Sequence, residues 1–133
     1  MGSVVADTHA VIWYMLGSEK LSSKARDTLD EVAQRGDSIY VTSISVVEVG
    51  YLVEKGKLPE IAFEDLIKAL EDSGSVLEPV SLDMGVALTI RHVSRDTVPD
   101  MPDRIIAATA LHMNLPLVTR DSRIQAAGIR VIW

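Results

Sequence analysis

The chain has 133 residues, no cysteine and a net charge of −6. That length suits a single domain, residues 1–133, with a core of its own. The absence of thiols excludes a disulfide framework, a zinc–thiolate site and a cysteine nucleophile, and the acidic balance argues against tight, sequence-independent nucleic-acid binding driven by counterion release.

Residues 3–6 read as a short buried strand that stops at Asp7, and residues 8–16 then follow a helical pattern up to Gly17. Residues 22–35 form an amphipathic helix ended by Gly36, and the β-branched run 39–42 is a second strand. Residues 43–54 read as a largely buried helix, and Pro59 opens another that runs to about Asp72. A third strand at 75–80 precedes a helix over 82–92. Pro102 begins an alanine-rich helix through Met113, followed by a strand at 115–119, a short helix at 122–127 and a fifth strand at 129–133. Strands alternating with helices, and apolar runs in place of in–out alternation, predict an α/β fold with a mainly parallel sheet covered on both faces. Sites in such folds lie beyond the carboxyl ends of the strands.

Four acids stand in uncharged surroundings. Asp7 is the only charged residue in 1–18 and Glu48 the only one in 38–53, while Asp103 and Asp121 flank the uncharged stretch 105–119. A carboxylate beside a core is costly unless it is paired, hydrogen-bonded or bound to a metal. Helix capping offers an ordinary reading for Asp7 and Asp121. Asp100 and Asp103 have capping-box spacing, with Asp in place of the usual Glu. Glu48 falls in a helix middle, where no cap explains it, and a buried ion pair with an arginine is its ordinary reading. Taken together, the four favour a shared metal pocket. Oxygen-only ligands without cysteine or a histidine set select magnesium or manganese.

Other chemistries find little support. The chain has neither a phosphate-binding glycine loop nor a G-x-S-x-G elbow. A phosphoacceptor domain would need a lysine near its acids, and no lysine follows Lys68. His92 and His112 read as partly buried helix residues, His9 as a helix-face residue, and Trp13 and Trp133 as core or interface. Residues 91–133 carry six arginines against four aspartates and no lysine, a local balance of about +2 suited to phosphate. With no leader pattern and no apolar run of the roughly 18 residues that a membrane helix needs, no membrane association and a cytoplasmic location are expected.

Four segments carry a family resemblance: VVADTHAVIW at 4–13, SISVVEV at 43–49, PDMPDRIIAATA at 99–110 and LPLVTRD at 115–121. In this order they resemble the successive motifs of PIN-domain ribonucleases, and most closely those of VapC-type toxins from toxin–antitoxin pairs. The resemblance implies a three-layer α/β/α sandwich around a parallel sheet of about five strands. It also implies a magnesium- or manganese-dependent endoribonuclease in which Asp7, Glu48, Asp103 and Asp121 form the acidic quartet. Thr119 then matches the small hydroxyl residue before the last acid, and Asp100 an additional acid upstream of the third. A homodimer, a cognate antitoxin as partner and RNA as substrate are implied in the same way, with Arg95 or Arg104 facing the substrate. Thr97-Val98-Pro99-Asp100 departs from the His-Arg-Asp-Pro lead-in frequent in that branch. The alternative reading is a catalytically silent PIN fold that binds RNA or a partner.

Overall fold

The computed structural model describes residues 2–133, and its strands are short and mostly apolar and buried, except the edge strand Leu77–Val80, where Glu78 and Pro79 are exposed. The strands are Val4–Ala6 (β1), Ile39–Thr42 (β2), Leu77–Val80 (β3), Leu117–Val118 (β4) and Val131–Ile132 (β5). They form one sheet in the order β3-β2-β1-β4-β5, with every neighbouring pair parallel. The register places Val4 beside Ile39 and Val5 beside Leu117, so β1 is the central strand.

Helices cover both faces. Thr8–Leu16 (α1), Ser23–Gln34 (α2), Ser43–Glu54 (α3) and Glu60–Glu71 (α4) lie on one side, and Met84–Thr89 (α5) and Met101–Met113 (α6) on the other. Alternation along β1 explains the two layers. Val4 and Ala6 pack with Val11, Leu29, Val49 and Leu66. Val5 points the other way, into Val86, Ile106 and Ala110. Leu29 and Ile106 are fully buried, and truncating either to alanine costs about 2–5 kcal/mol.

The chain winds outward from β1 to β2 and β3, then crosses back to add β4 and β5 on the other side. The crevice between the carboxyl ends of β1 and β4 is therefore the topological switch point, where ligands of such sheets bind. The Asp7 amide donates to the Val118 carbonyl across 3.0 Å, closing the two strand ends together. At the far end of α6, Asn114 takes a left-handed conformation (φ 55°) that stops the helix and turns the chain into β4.

Several elements differ from the sequence expectation. The helix expected over 82–92 spans only Met84–Thr89, because the Asp83 side chain accepts from the Val86 amide and so fixes the start, and a 3-10 turn, Ile90–His92, ends it. Ser122–Ala127 is likewise a 3-10 segment. β4 and β5 are two residues each, shorter than their apolar runs, since only those residues find ladder partners. Contrary to expectation, α3 is not largely buried: only Ser45 and Val49 are, while Val47 and Tyr51 are more than half exposed. His92 and His112 are exposed too, where partial burial was expected. No helix among the described residues is long and apolar enough to cross a membrane.

Candidate active site

A cavity of about 520 Å³ opens at the switch point, and Asp7, Glu48, Asp100, Asp103, Thr119 and Asp121 all line it. They reach it from four places in the chain: the end of β1, the middle of α3, the start of α6 and the segment after β4. Asp7 is the residue after β1, and its Oδ1 accepts from the Ala10 amide at 2.8 Å, capping α1. Asp100 caps α6, accepting from the Asp103 amide at 3.1 Å, and Asp103 sits in the first turn of that helix. Thr119 follows β4, is 1% exposed, and accepts the Asp121 amide at 3.1 Å. The capping readings of these acids thus hold, and the same caps aim the carboxylates into one cavity.

Glu48 lies in the middle of α3, and no arginine among the described residues pairs with it. It takes a hydrogen bond from the Thr8 hydroxyl instead, at 2.6 Å. Thr8 Oγ1 also stands 2.9 Å from Ser45 Oγ, and Ser45 Oγ lies 3.1 Å from Thr42 Oγ1. This buried hydroxyl chain fixes α1 against α3. No sequence reading singled out Thr8 or Ser45, because their contacts cross about forty positions of chain.

The electrostatics mark the cavity as short of positive charge. Burial pushes the Asp7 carboxyl above the usual range, opposed in part by the Thr119 hydroxyl and the Ala10 amide. Asp103 is raised to about 6, by burial first and then by the charges of Asp100, Glu48, Asp7 and Asp121. Asp121 moves the other way, lowered chiefly by its hydrogen bonds from Arg123. Arg123 donates Nε and Nη2 to the two carboxylate oxygens, both at 2.9 Å.

No trio of acidic or histidine side chains among the described residues forms a ready-made metal cage. The donor set nevertheless suits a hard cation. Five carboxylates line one cavity, and burial together with their mutual repulsion raises Asp103 to about 6, a penalty that a divalent ion would relieve.

Five further residues complete the wall: Thr8, His9, Trp13, Arg120 and Arg123. His9 and Trp13 are four apart on α1, and that spacing was the available signal that they share a face. Neither Arg95 nor Arg104 lines the cavity. Arg104 is committed elsewhere, donating to the carbonyls of Ile90 and Val93 at 2.9–3.1 Å.

Residues 4–129 match the PIN domain family. The chain belongs to that family. It is 26% identical over 126 residues to "Ribonuclease VapC22" of Mycobacterium tuberculosis (strain ATCC 25618 / H37Rv), an alignment covering 95% of this chain and 92% of the relative. Among solved structures, the PIN domain described here is similar to VapBC2 from Rickettsia felis bound to a promoter DNA fragment. That match has a TM-score of 0.73 at 19% identity and covers 97% of this chain and 96% of the other. A toxin–antitoxin complex from Klebsiella pneumoniae matches with a TM-score of 0.68 at 18% identity, covering 98% and 96%. The fold and family expected from the four motifs are those found.

Proposed function

We propose that this PIN domain is an endoribonuclease of the VapC toxin type, dependent on magnesium or manganese and restrained by a protein antitoxin. The observation that carries the reading is the meeting of Asp7, Glu48, Asp103 and Asp121, isolated along the sequence, around one cavity where burial first, and then like charges, raise Asp103 to about 6. Similarity to a relative named a ribonuclease over nearly the whole chain supports the activity. The toxin–antitoxin complexes among the similar folds support the partner. A homodimer inside the cell belongs to the same proposal.

Asp7, Glu48, Asp103 and Asp121 would hold the ion, which when bound supplies Lewis-acid polarisation of the phosphate and acidifies a water. The chain's own residues do the rest. Thr119 and the caps hold Asp7 and Asp121 in place before substrate arrives, so little reorganisation accompanies the reaction. Thr8 holds Glu48 aimed at the cavity. Asp100 adds negative charge at the start of α6 and strengthens the demand for a cation. Arg120 and Arg123 offer planar forks to the flanking phosphates. Water adds to phosphorus and the bond to the 3′ oxygen breaks, leaving a 5′-phosphate and a 3′-hydroxyl.

Labelled RNA incubated with manganese tests this reading. Wild type is expected to cut it, with Asp7→Asn and Asp103→Asn each losing at least a hundredfold in rate while remaining folded. Equal residual cleavage by all three would mean a contaminant. No cleavage, with binding intact, would favour the silent PIN module.

A further inference from the structure

Trp13 is the one large apolar side chain facing the acidic cavity, whose other lining groups are all charged, hydroxyl or imidazole. Packing alone does not account for that position. Trp13 is half-buried: part of its ring packs on the core under α1, and the rest meets the cavity. Three groups surround it. Trp133 lies with its ring centre 5.9 Å away, tilted by 58°. His9, exposed on the same helix face, lies at 5.4 Å. The exposed Arg120 sets its guanidinium carbon 5.4 Å from the Trp13 ring centre. An aromatic surface packed beside a second indole and covered by an exposed cation is the composition of a single-strand stacking platform.

We infer that Trp13 is the stacking platform for an unpaired nucleobase next to the cleaved phosphate, and that this contact sets which phosphate is presented to the acids. The inference rests on the ribonuclease reading and deepens it. The base takes the ring face that Arg120 covers, and the guanidinium moves to the adjacent phosphate, for which its planar fork is suited. A paired base keeps its face buried in the helical stack and has nothing to offer Trp13. Trp13 is thus a positioning and specificity residue. It sets which phosphate reaches the acids without touching the reacting atoms.

The test uses the full chain with Trp133→Phe, which leaves Trp13 as the sole tryptophan of the two. It is mixed rapidly with a single-stranded RNA that wild type cuts, and with versions of that RNA lacking one base at each position in turn. Trp13 emission is expected to be quenched by the intact strand, and the quench is expected to vanish when one base beside the cut is missing. In steady-state cleavage, Trp13→Ala is expected to raise KM by roughly 5- to 100-fold with a smaller change in kcat, while Trp13→Phe keeps most of the affinity. Removing the base beside the cut is expected to cost nothing further in Trp13→Ala. Unchanged Trp13 emission at saturating RNA overturns the inference, as does an equal cost of the missing base in wild type and Trp13→Ala. Should Trp13→Ala not fold, the quenching pattern and Trp13→Phe decide. A wild type that cuts RNA without quenching removes only the platform, whereas one that neither binds nor cuts removes the ribonuclease reading with it.

Discussion

The Thr8 hydroxyl donates to Glu48 Oε1 across 2.6 Å, linking the first residue of α1 to the middle of α3. A carboxylate oxygen that accepts a hydroxyl proton is held to one orientation, so this bond aims Glu48 at the cavity. Thr8→Val keeps the shape and removes the donor. Manganese affinity, measured by calorimetry, is expected to fall about tenfold, the usual cost of losing a group that orients a ligand. An affinity equal to wild type would separate Thr8 from the site.

A metal held by the acids as proposed would stabilise the fold, because a ligand of the native state alone shifts the equilibrium toward it. At about 100 times its dissociation constant, manganese is expected to add about 2.7 kcal/mol, which is several degrees in Tm. Asp7→Asn and Asp103→Asn are each expected to lose most of that gain. Identical melting in manganese and in chelator would remove the metal site.

In the metal-free protein, Asp103 ties stability to pH. Its folded pKa of about 6 lies above the unfolded value of 3.8. Its contribution is therefore complete below about pH 4 and is lost as pH rises through 6. Asp103→Asn removes the ionisation. The variant is expected to match wild type at pH 4 and to exceed it at pH 7.5, in chelator, by about 1 kcal/mol after allowing for solvent screening of a half-exposed group. Urea denaturation at the two pH values checks this, and a variant less stable at pH 7.5 would contradict it.

Arg123 competes for Asp121. The guanidinium occupies both carboxylate oxygens from an exposed position, so a cation must displace it. Arg123→Gln is expected to bind manganese severalfold more tightly in calorimetry, with Tm unchanged in chelator. Weaker manganese binding would mean that Arg123 presents Asp121 and does not mask it.

Arg104 holds the turn between α5 and α6 through the Ile90 and Val93 carbonyls. Arg104→Met is expected to cost about 2 kcal/mol and to raise amide exchange across residues 90–100. A normal Tm with lost cleavage would return Arg104 to the substrate side.

The sheet was legible because most strands are apolar runs, and β1 and β4 stop just short of an acid. The acids could be read because they interrupt long uncharged stretches. What stayed hidden was tertiary. The length of β4 depends on its register with β1 and β5, which its own residues do not encode. Exposure along α3 could not be read from its composition, since Val47 and Tyr51 differ from Val49 only in which way the helix turns them. Thr8 gave no signal, as a threonine opening a helix is ordinary. Trp13 was read as core or interface, and its packed half agrees with that, whereas its cavity-facing half depends on where α1 sits over β1 and β4.

The all-parallel sheet also sets when the acidic cavity comes into being. Asp7 is synthesised more than a hundred residues before the wall that carries Thr119 and Asp121, which joins it only when β4 docks beside β1. Until that docking, a growing polypeptide lacks an assembled cleft.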